Sequence, residues 1–500
     1  MLPWNFVLLC HVTLAVWLLL LLGSAEGAQY QEPATSWLQQ SSRTNVFPPR
    51  NGHGFVAFKD KLWVVGGRSD VFQSRNLAST NRRADVWSSD DEGATWLQQT
   101  DLTGDFAVQN WDALIPGAQA PWYGRFGHTL TVLEAAGGEE VMVMTGGFTP
   151  DPNNDVWVTE DGRDWRFAQN APWEKRAWHA DAVFNRKLLI MGGTPLINDV
   201  WTSESLVRES DGSWGITWRE LLAAEDSPWM PRAGHSLVLQ PVNNTLFMMG
   251  GFAGWRGDSS SYDGERCRND IWSSQDGSSW SLVTEDAPWE ARAWHTVATW
   301  SALDNPLADI APPDEGHEGD LPAPRMWLGG GGYMGTKGNN IVRRMIGFVD
   351  MWWSTNGLDW HQVNHQEGFG GSLYSNMEWA KTVVDNERKY LGKWGMQMLA
   401  SSTTTDDGTK VPALYFAGGD HVDDGALSNA VFVSNYTLGC LNQGVACGGV
   451  GSCGTNFKCD CPKGTSGSFC DSDTVELASS ASTASYIAWP AIAVLLLLFV

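Results

Sequence analysis

The chain has 500 residues, of which only 18% are charged, and acidic residues outnumber basic ones by 57 to 33. The formal net charge of −24 excludes nucleic acid and anionic lipid as partners bound through overall charge. The length exceeds that of an ordinary single domain unless the fold grows by repetition.

The first 25 residues are typical of a secretory signal peptide. Residues 6–22 form an apolar run, and Gly23-Ser24-Ala25 supplies small residues where cleavage is expected. No lysine or arginine precedes the run, which leaves a membrane anchor as the alternative. We expect residues 1–25 to be removed from an exported protein.

From Arg50 onwards one pattern recurs five times. Each unit begins with Arg-x-x-His, here called the opener, and an apolar stretch, a Gly-Gly pair and Asp-x-Trp follow. The openers begin at Arg50, Arg125, Arg176, Arg232 and Arg292. A sixth, degraded unit opens on Lys393 and has its Gly-Gly pair at Gly418-Gly419.

The repeat resembles that of the kelch family across about residues 50–434, and its shortest spacings are near the ~50 residues of a kelch unit. Residues 89–96 and 274–280 also resemble the Asp-box hairpins of sialidase propellers, in which Asp and Gly form a tight turn. Both resemblances imply four-stranded sheets arranged around a channel. We therefore predict an all-β, six-bladed β-propeller over residues 34–437.

The phrase Trp37-Leu38-Gln39-Gln40 copies Trp96-Leu97-Gln98-Gln99 of the first unit, whereas the sixth unit has no closing phrase of its own. We predict that the N-terminal segment forms the outermost strand of blade six. Such closure would remove two exposed sheet edges. A chance duplication is the alternative.

Six cysteines follow the repeats, and in a secreted chain this density favours disulfides over zinc. They are Cys440, Cys447, Cys453, Cys459, Cys461 and Cys470. The end of the segment resembles an EGF-like module over residues 438–471, which implies the pairs Cys440–Cys453, Cys447–Cys459 and Cys461–Cys470. No acidic cluster precedes Cys440, so we expect no calcium site there.

Cys267 is left without a predicted partner in the sequence. A free reactive thiol, an intermolecular disulfide and a shielded inert thiol all remain open. Two sequons predict N-glycosylation at Asn243 and Asn435, as expected of an exported chain.

The C-terminal residues resemble a GPI-anchor signal. Residues 487–500 are apolar but shorter than the ~20 residues of a spanning helix, and a small, polar linker at 472–486 precedes them. This order predicts lipid attachment at Ser479 and a place on the outer surface of the plasma membrane. A short tail anchor is the alternative.

The openers suggest a ligand site, because the kelch resemblance places them near the channel mouth. A ring of cations there would attract a carboxylate or sulfate. The alternative is a structural role in which each arginine bonds carbonyl groups of an adjacent blade. The predicted cations are Arg50, Arg125, Arg176, Arg232, Arg292 and Lys393.

Four tryptophans lie just before openers, each after a proline. We predict that they rim the same face and stack on a sugar, with packing between blades as the alternative. These residues are Trp122, Trp173, Trp229 and Trp289. The histidines of the openers are predicted to pack and form hydrogen bonds between blades.

The resulting prediction is a membrane-anchored extracellular protein that binds a protein or an acidic glycan, with no cofactor or metal. Kelch repeats with an EGF-like module resemble the attractin-type arrangement. The alternative is a carbohydrate-active enzyme. A sialidase-like enzyme would need an arginine cluster with a Tyr–Glu pair, and a galactose-oxidase-like enzyme would need tyrosine and histidine ligands with a Tyr–Cys crosslink. The sequence presents no matching set.

Overall fold

A computed structural model describes residues 38–41, 45–69, 82–99, 122–254, 267–299, 325–337, 340–348, 350–362, 381–384, 387–390, 393–404, 410–421 and 428–435, together with six short strands between residues 441 and 473. The chain divides into two compact units, residues 1–439 and 440–500. The predicted signal peptide, Trp37, Ser479 and the apolar tail lie outside the described residues, as do the cysteine side chains of the second unit.

The first unit contains six four-stranded antiparallel sheets, numbered here as blades one to six in chain order. From the innermost strand outwards, blades one to three consist of Gly54–Phe58, Lys61–Val65, Val86–Ser89 and Leu97–Gln98; of Thr129–Glu134, Glu140–Phe148, Pro152–Thr159 and Trp165–Asn170; and of Ala180–Phe184, Lys187–Gly193, Ile197–Arg208 and Trp214–Leu222.

Blades four to six follow the same order. They consist of Ser236–Gln240, Thr245–Phe252, Cys267–Ser274 and Ser281–Thr284; of Thr296–Thr299, Met326–Gly329, Met351–Ser354 and His361–Gln362; and of Gln397–Thr404, Lys410–Ala417, Val431–Asn435 and Leu38–Gln39. The innermost strands contact one another in a closed ring, with blade six beside blade one. The predicted six-bladed propeller is therefore confirmed.

The second strand of each blade explains why the core forms. In blade one, Leu62-Trp63-Val64-Val65 is buried throughout, and blade four has Leu246-Phe247-Met248-Met249 at the same place. A continuous apolar run is needed because both faces of each sheet pack against neighbouring blades. Burial of each large apolar side chain stabilises the fold by about 1.5–3 kcal/mol.

The Asp-box-like phrases form tight turns between the third and outermost strands. In blade one, Asp91 accepts hydrogen bonds from the Thr95 amide and Ser89 hydroxyl, and the Trp96 indole donates to the Gly93 carbonyl. Equivalent tryptophan-to-glycine bonds occur in blades two, four and five. These contacts fix the position at which each outermost strand begins.

The short strand Leu38–Gln39 lies at the outer edge of blade six. Leu38 pairs with Val433 and Gln39 with Phe432, both antiparallel. Just beyond this strand, the Gln40 amide donates a hydrogen bond to the Val431 carbonyl at 2.8 Å, and the Val431 amide donates one to Ser41 Oγ at 3.0 Å. Residues at opposite ends of the propeller sequence thus share one sheet.

The remaining described strands form two-stranded pairs. In the first unit these are Gly332–Lys337 with Asn340–Gly347, Lys381–Val384 with Glu387–Tyr390, and Lys393–Trp394 with Asp420–His421. In the second they are Leu441–Asn442 with Val445–Ala446, Ser452–Cys453 with Cys459–Asp460, and Thr465–Ser466 with Ser472–Asp473. The one helix within the described ranges is the 3-10 turn Ala224–Asp226, and no described helix is long and apolar enough to cross a bilayer.

Candidate ligand-binding face

Each of the five opener arginines is buried in a two-pronged ion pair within its own blade. Two guanidinium nitrogens bind the two carboxylate oxygens of the Asp-x-Trp aspartate at 2.6–2.9 Å. The pairs are Arg50–Asp85, Arg125–Asp155, Arg176–Asp199, Arg232–Asp270 and Arg292–Asp350. This geometry orients both groups and is among the stronger types of hydrogen bonding.

Further bonds surround every pair. The Nη1 atom of each arginine also donates to the carbonyl of the first Gly-Gly residue, at 2.7–3.0 Å. The Nε atom donates to the carbonyl two residues earlier, and the Asp-x-Trp indole donates to the same carboxylate. Each arginine therefore joins the start of its blade to the turn between the second and third strands.

The prediction of a solvent-facing cation ring is wrong for these arginines. All five are at most 1% exposed, and their charges are neutralised locally by aspartate. They are Arg50, Arg125, Arg176, Arg232 and Arg292. The backbone of Lys393 pairs with His421, and its side chain lies outside the described part of the structure.

The ion pairs control the protonation of their aspartates. Burial by itself would raise the pKa of Asp85, but the charge and hydrogen bonds of Arg50 outweigh it, so that the pKa is lowered. The same opposition lowers the pKa values of Asp270 and Asp350. These carboxylates are therefore ionised partners at neutral pH.

The four tryptophans before the openers also belong to the core. Trp122 makes an edge contact with Trp165 at 4.8 Å between ring centres, and Trp229 contacts Trp280 at 5.2 Å. The predicted aromatic rim is thus corrected, because residues at most 5% exposed offer no surface for a sugar. The four are Trp122, Trp173, Trp229 and Trp289, and Phe47 packs on Trp96 in the equivalent place of blade one.

The opener histidines are buried between blades, as predicted. The predicted hydrogen bonds form only in part: His179 Nε2 lies 2.9 Å from Thr145 Oγ1, whereas the ring nitrogens of His235 and His295 have no partner among the described residues. Each imidazole lies against the first Gly-Gly glycine of the preceding blade, so that His128 contacts Gly66 and His235 contacts Gly192. Burial, followed by the nearby arginine charge, lowers the pKa of His128, His235 and His295 to about 3. Across the described residues, no group of His, Cys, Asp and Glu has the arrangement of a metal site.

A closed ring of six backbone hydrogen bonds encircles the channel axis at the openers. In blades one to five the donor is the residue before the opener histidine, and in blade six it is the residue before Met396. Each donates its backbone amide to the carbonyl of the equivalent residue in the preceding blade, at 2.6–3.2 Å. The ring runs through Gly52, Gly127, Trp178, Gly234, Trp294 and Gly395. All six have φ between 54° and 64°, in the left-handed region that glycine tolerates best.

Trp178 and Trp294 are the exceptions among these six, since bulky residues rarely adopt positive φ. Their indoles are half-buried and lie over the ring itself. A β-carbon on Gly127 would lie 2.9 Å from Cδ2 of Trp178, and one on Gly234 would lie 2.9 Å from Cδ1 of Trp294. Only glycine at these neighbouring positions leaves room for the indoles.

Other aromatic residues extend this surface. Phe126 stacks on Phe148 and contacts Trp178 edge-on, whereas Trp294 contacts Trp178 at 6.3 Å between ring centres. We call the set the axial aromatic cluster, and it comprises Phe126, Phe148, Trp178, Phe252, Trp294 and Trp394. All except Trp394 are partly exposed, so this end of the channel, here called the opener face, presents an aromatic surface.

The cluster was not predicted from the sequence, although several of its members occupy fixed repeat positions. Trp178 and Trp294 precede an opener histidine, and Phe148 and Phe252 follow a Gly-Gly pair. The spacing alone shows that these positions are equivalent. It does not show that they converge on the axis, which follows from ring closure.

Several insertions in the repeat begin and end beside the openers. Arg68, before residues 70–81, forms a bridge with Asn51, and Arg268, after residues 255–266, forms one with Arg292. The Arg50 amide donates to the carbonyl of Ser428, which follows residues 422–427. These three insertions are thus anchored at the opener face, whereas residues 300–325 join Thr299 to Met326 at the opposite ends of their strands.

A cavity of about 270 Å³ extends along the axis from the hydrogen-bond ring. Its lining includes Phe55, Leu130, Asp181, Leu237 and Met398. Burial raises the pKa of Asp181 to about 6, although a hydrogen bond from Thr131 opposes the shift. The cavity therefore contains a carboxyl group that titrates close to neutrality.

Two other predicted sites are partly described. Cys267 is a buried free thiol, and burial raises its pKa to about 12. Of the three states left open by the sequence, the structure favours the shielded inert thiol. Asn243 is exposed in the turn between the first two strands of blade four, and the side chain of Asn435 lies outside the described residues.

No protein-family model matches this chain, and no curated protein sequence matches it significantly. The propeller is established by its strand order and by the closed ring of inner strands. Membership of the kelch family stays a proposal.

Proposed function

We propose that this chain is a binding protein that uses the opener face of its propeller to recognise an extracellular protein or glycan. The axial aromatic cluster is the observation that carries the proposal. Its partly exposed rings lie on a rigid hydrogen-bonded ring, and insertions of the repeat are anchored around them. Loops and exposed aromatic residues on a rigid scaffold are typical of binding surfaces.

We further propose a kelch-type propeller closed by the N-terminal segment. The repeated Arg–Asp pairs and Gly-Gly turns support the kelch assignment. The pairing of Leu38 with Val433 and of Gln39 with Phe432 supports the closure. Both features would stabilise the propeller.

The proposed setting is the outer surface of the plasma membrane, in an attractin-like arrangement. Its support is the order of sequence features: a signal peptide at 1–25, the propeller, an EGF-like module at 438–471 and a GPI signal with attachment at Ser479. The exposure of Asn243 is compatible with glycosylation. Release of the cell-bound chain by a phosphatidylinositol-specific phospholipase, abolished by changing residues 478–480 together, would test the anchor.

A carbohydrate-active enzyme remains the second candidate. Within the described ranges, each opener arginine is occupied by its own aspartate, so these arginines do not form the cluster that a sialidase-like site needs. The opener histidines all line the axial cavity, but among the described residues no His, Cys, Asp and Glu side chains are grouped as metal ligands would be. These placements favour binding over either enzyme.

The binding function is tested with the full chain displayed on cells. Displaying cells are probed with soluble glycans and with extracellular proteins, and the Trp178→Gly, Trp294→Gly double variant is compared with Phe167→Ala. Phe167 is a suitable control because it is an exposed aromatic residue on the outermost strand of blade two. Loss of a ligand only in the double variant supports the opener face, and equal binding by all three proteins contradicts it.

A further inference from the structure

The axial aromatic cluster contains two bulky residues in a left-handed backbone conformation that glycine adopts at the equivalent position of the other four blades. Trp178 and Trp294 both have φ of 54°, and the equivalent residues of blades one, two, four and six are glycines. Backbone strain of this kind persists where the surrounding structure enforces it, and it concentrates at functional sites. The two tryptophans therefore point to a role beyond closing the ring.

The packing of Trp178 determines which part of its indole is available. A β-carbon on Gly52 would lie 2.6 Å from Cη2 of the indole, and one on Gly127 would lie 3.0 Å from Cε2. The indole thus covers two glycines of the ring, which support it from one side. The residue is partly exposed, and Phe126, Trp294 and Trp394 also pack against it, so a ligand can reach the part of the indole that these contacts leave uncovered.

The electrostatic surroundings disfavour strongly charged ligands of either sign. The opener arginines are buried and paired with aspartate, so they do not attract an anionic ligand, and the net charge of −24 opposes the local attraction of the Arg68 guanidinium beside Phe126. A cation is disfavoured locally, because the Arg68 guanidinium already lies over the Phe126 ring at 4.9 Å. A second cation beside it would be repelled.

A neutral ligand with a flat C–H surface fits these conditions. A hexopyranose presents such a surface on one side of its ring and hydroxyl groups around its edge. Flat aromatic rings bury the C–H surface and leave the hydroxyl groups in water, where they cost no desolvation. Rigid aromatic residues also lose little conformational freedom on binding.

We propose that the axial aromatic cluster binds a neutral hexopyranose unit of an extracellular glycan, stacked on Trp178 and Trp294. This inference rests on the proposed binding function and replaces the acidic glycan of the sequence analysis with a neutral one. The recognition is dispersive and apolar, so its strength is insensitive to salt.

The test uses the full chain, a glycan array and free methyl hexopyranosides as soluble competitors. We expect retention on neutral hexose-terminated glycans, competition by the free sugar, and less than a twofold change between low and high salt. The double variant Trp178→Gly, Trp294→Gly should lose at least tenfold in affinity, whereas Phe167→Ala should bind like the parent.

A second double variant controls for misfolding. Asparagine tolerates positive φ better than most residues, so Trp178→Asn with Trp294→Asn should retain the parent's thermal transition and show the same loss of binding. Equal glycan binding by folded parent and variant would overturn the proposal.

Other outcomes separate this inference from the wider proposed function. If only sulfated or sialylated glycans are retained, and their retention falls steeply as salt is raised, the proposal of a neutral sugar is overturned. A preference for choline over hexosides overturns it as well. Capture of a protein ligand that depends on Trp178 and Trp294, without any glycan binding, also overturns it but leaves the binding face intact. Binding of any ligand class that is unaffected by these variants contradicts both.

Discussion

Both carboxylate oxygens of Asp85 bind the guanidinium of Arg50, at 2.7 and 2.9 Å, and neither side chain is more than 5% exposed. Four further blades repeat this relationship. A repeated arginine that looks like a ligand site in the sequence is thus a structural bond within the blade. The binding surface comes instead from residues between and after the repeated motifs.

Removing one partner of the Arg50–Asp85 pair should be far more damaging than removing both. We expect Asp85→Ala to lower the free energy of unfolding by about 3–5 kcal/mol, because it leaves a buried guanidinium without its counterion. Arg50→Met combined with Asp85→Leu should cost clearly less than the single change. Denaturant unfolding of the three proteins measures this, and a single variant as stable as the double one would be inconsistent with a buried pair.

Gly127 and Trp178 should be coupled in stability. Gly127→Ala places a β-carbon 2.9 Å from the indole at a φ of 64°, so we expect a loss of about 2–4 kcal/mol from strain and overpacking. In a Trp178→Gly background only the left-handed strain of about 1–2 kcal/mol remains. The difference is obtained from a double-mutant cycle by thermal or chemical unfolding, and strict additivity would show that the indole does not cover Gly127.

Asp181 should make the propeller less stable as the pH rises through about 6. Its pKa is raised in the folded state from 3.8 to about 6, so folding favours the protonated carboxyl group. This contribution is complete below the unfolded pKa and disappears as the pH passes the folded one. Asp181→Asn should therefore stabilise the protein by about 1–3 kcal/mol at pH 7.5, and less at pH 4.5. Melting temperatures at the two pH values provide the measurement, and a gain that grows towards acid would have the wrong sign.

Cys267 should not react in the folded protein. It is 5% exposed and its pKa is raised to about 12, so we expect iodoacetamide at pH 8 to label it at least tenfold more slowly than in denaturant. Non-reducing electrophoresis should show no Cys267-dependent dimer, with Cys267→Ser as the control. Rapid native labelling would place the thiol at the surface.

The repeated sequence predicted the blades but assigned the wrong role to the arginines. Each arginine and its aspartate are separated by 23 to 58 residues, so the pair becomes visible only when a blade is folded. A signal was nevertheless present. The sixth unit, which has Lys393 in place of arginine, also has Ala430 in place of the Asp-x-Trp aspartate, so both partners are replaced together.

The histidines and the aromatic cluster also differ in how far the sequence of a single repeat determines their positions. A residue that alternates along a strand can be assigned to one face of its blade, which is why the burial of the opener histidines could be predicted, whereas the hydrogen bonds predicted for them are missing, within the described part of the chain, at His235 and His295. The position of Trp178 depends on how six blades meet at the axis. That geometry arises from closure of the ring, and no single repeat contains it.

The most direct test of the account compares two double variants on one glycan array. Trp178→Gly with Trp294→Gly removes the proposed sugar platform, whereas Arg176→Met with Asp199→Leu removes an opener ion pair and its charges. For variants that retain a cooperative thermal transition, we predict that the first loses at least tenfold in retention on neutral glycans and that the second binds like the parent. Loss of retention in the arginine variant together with normal binding by the tryptophan variant would contradict the account.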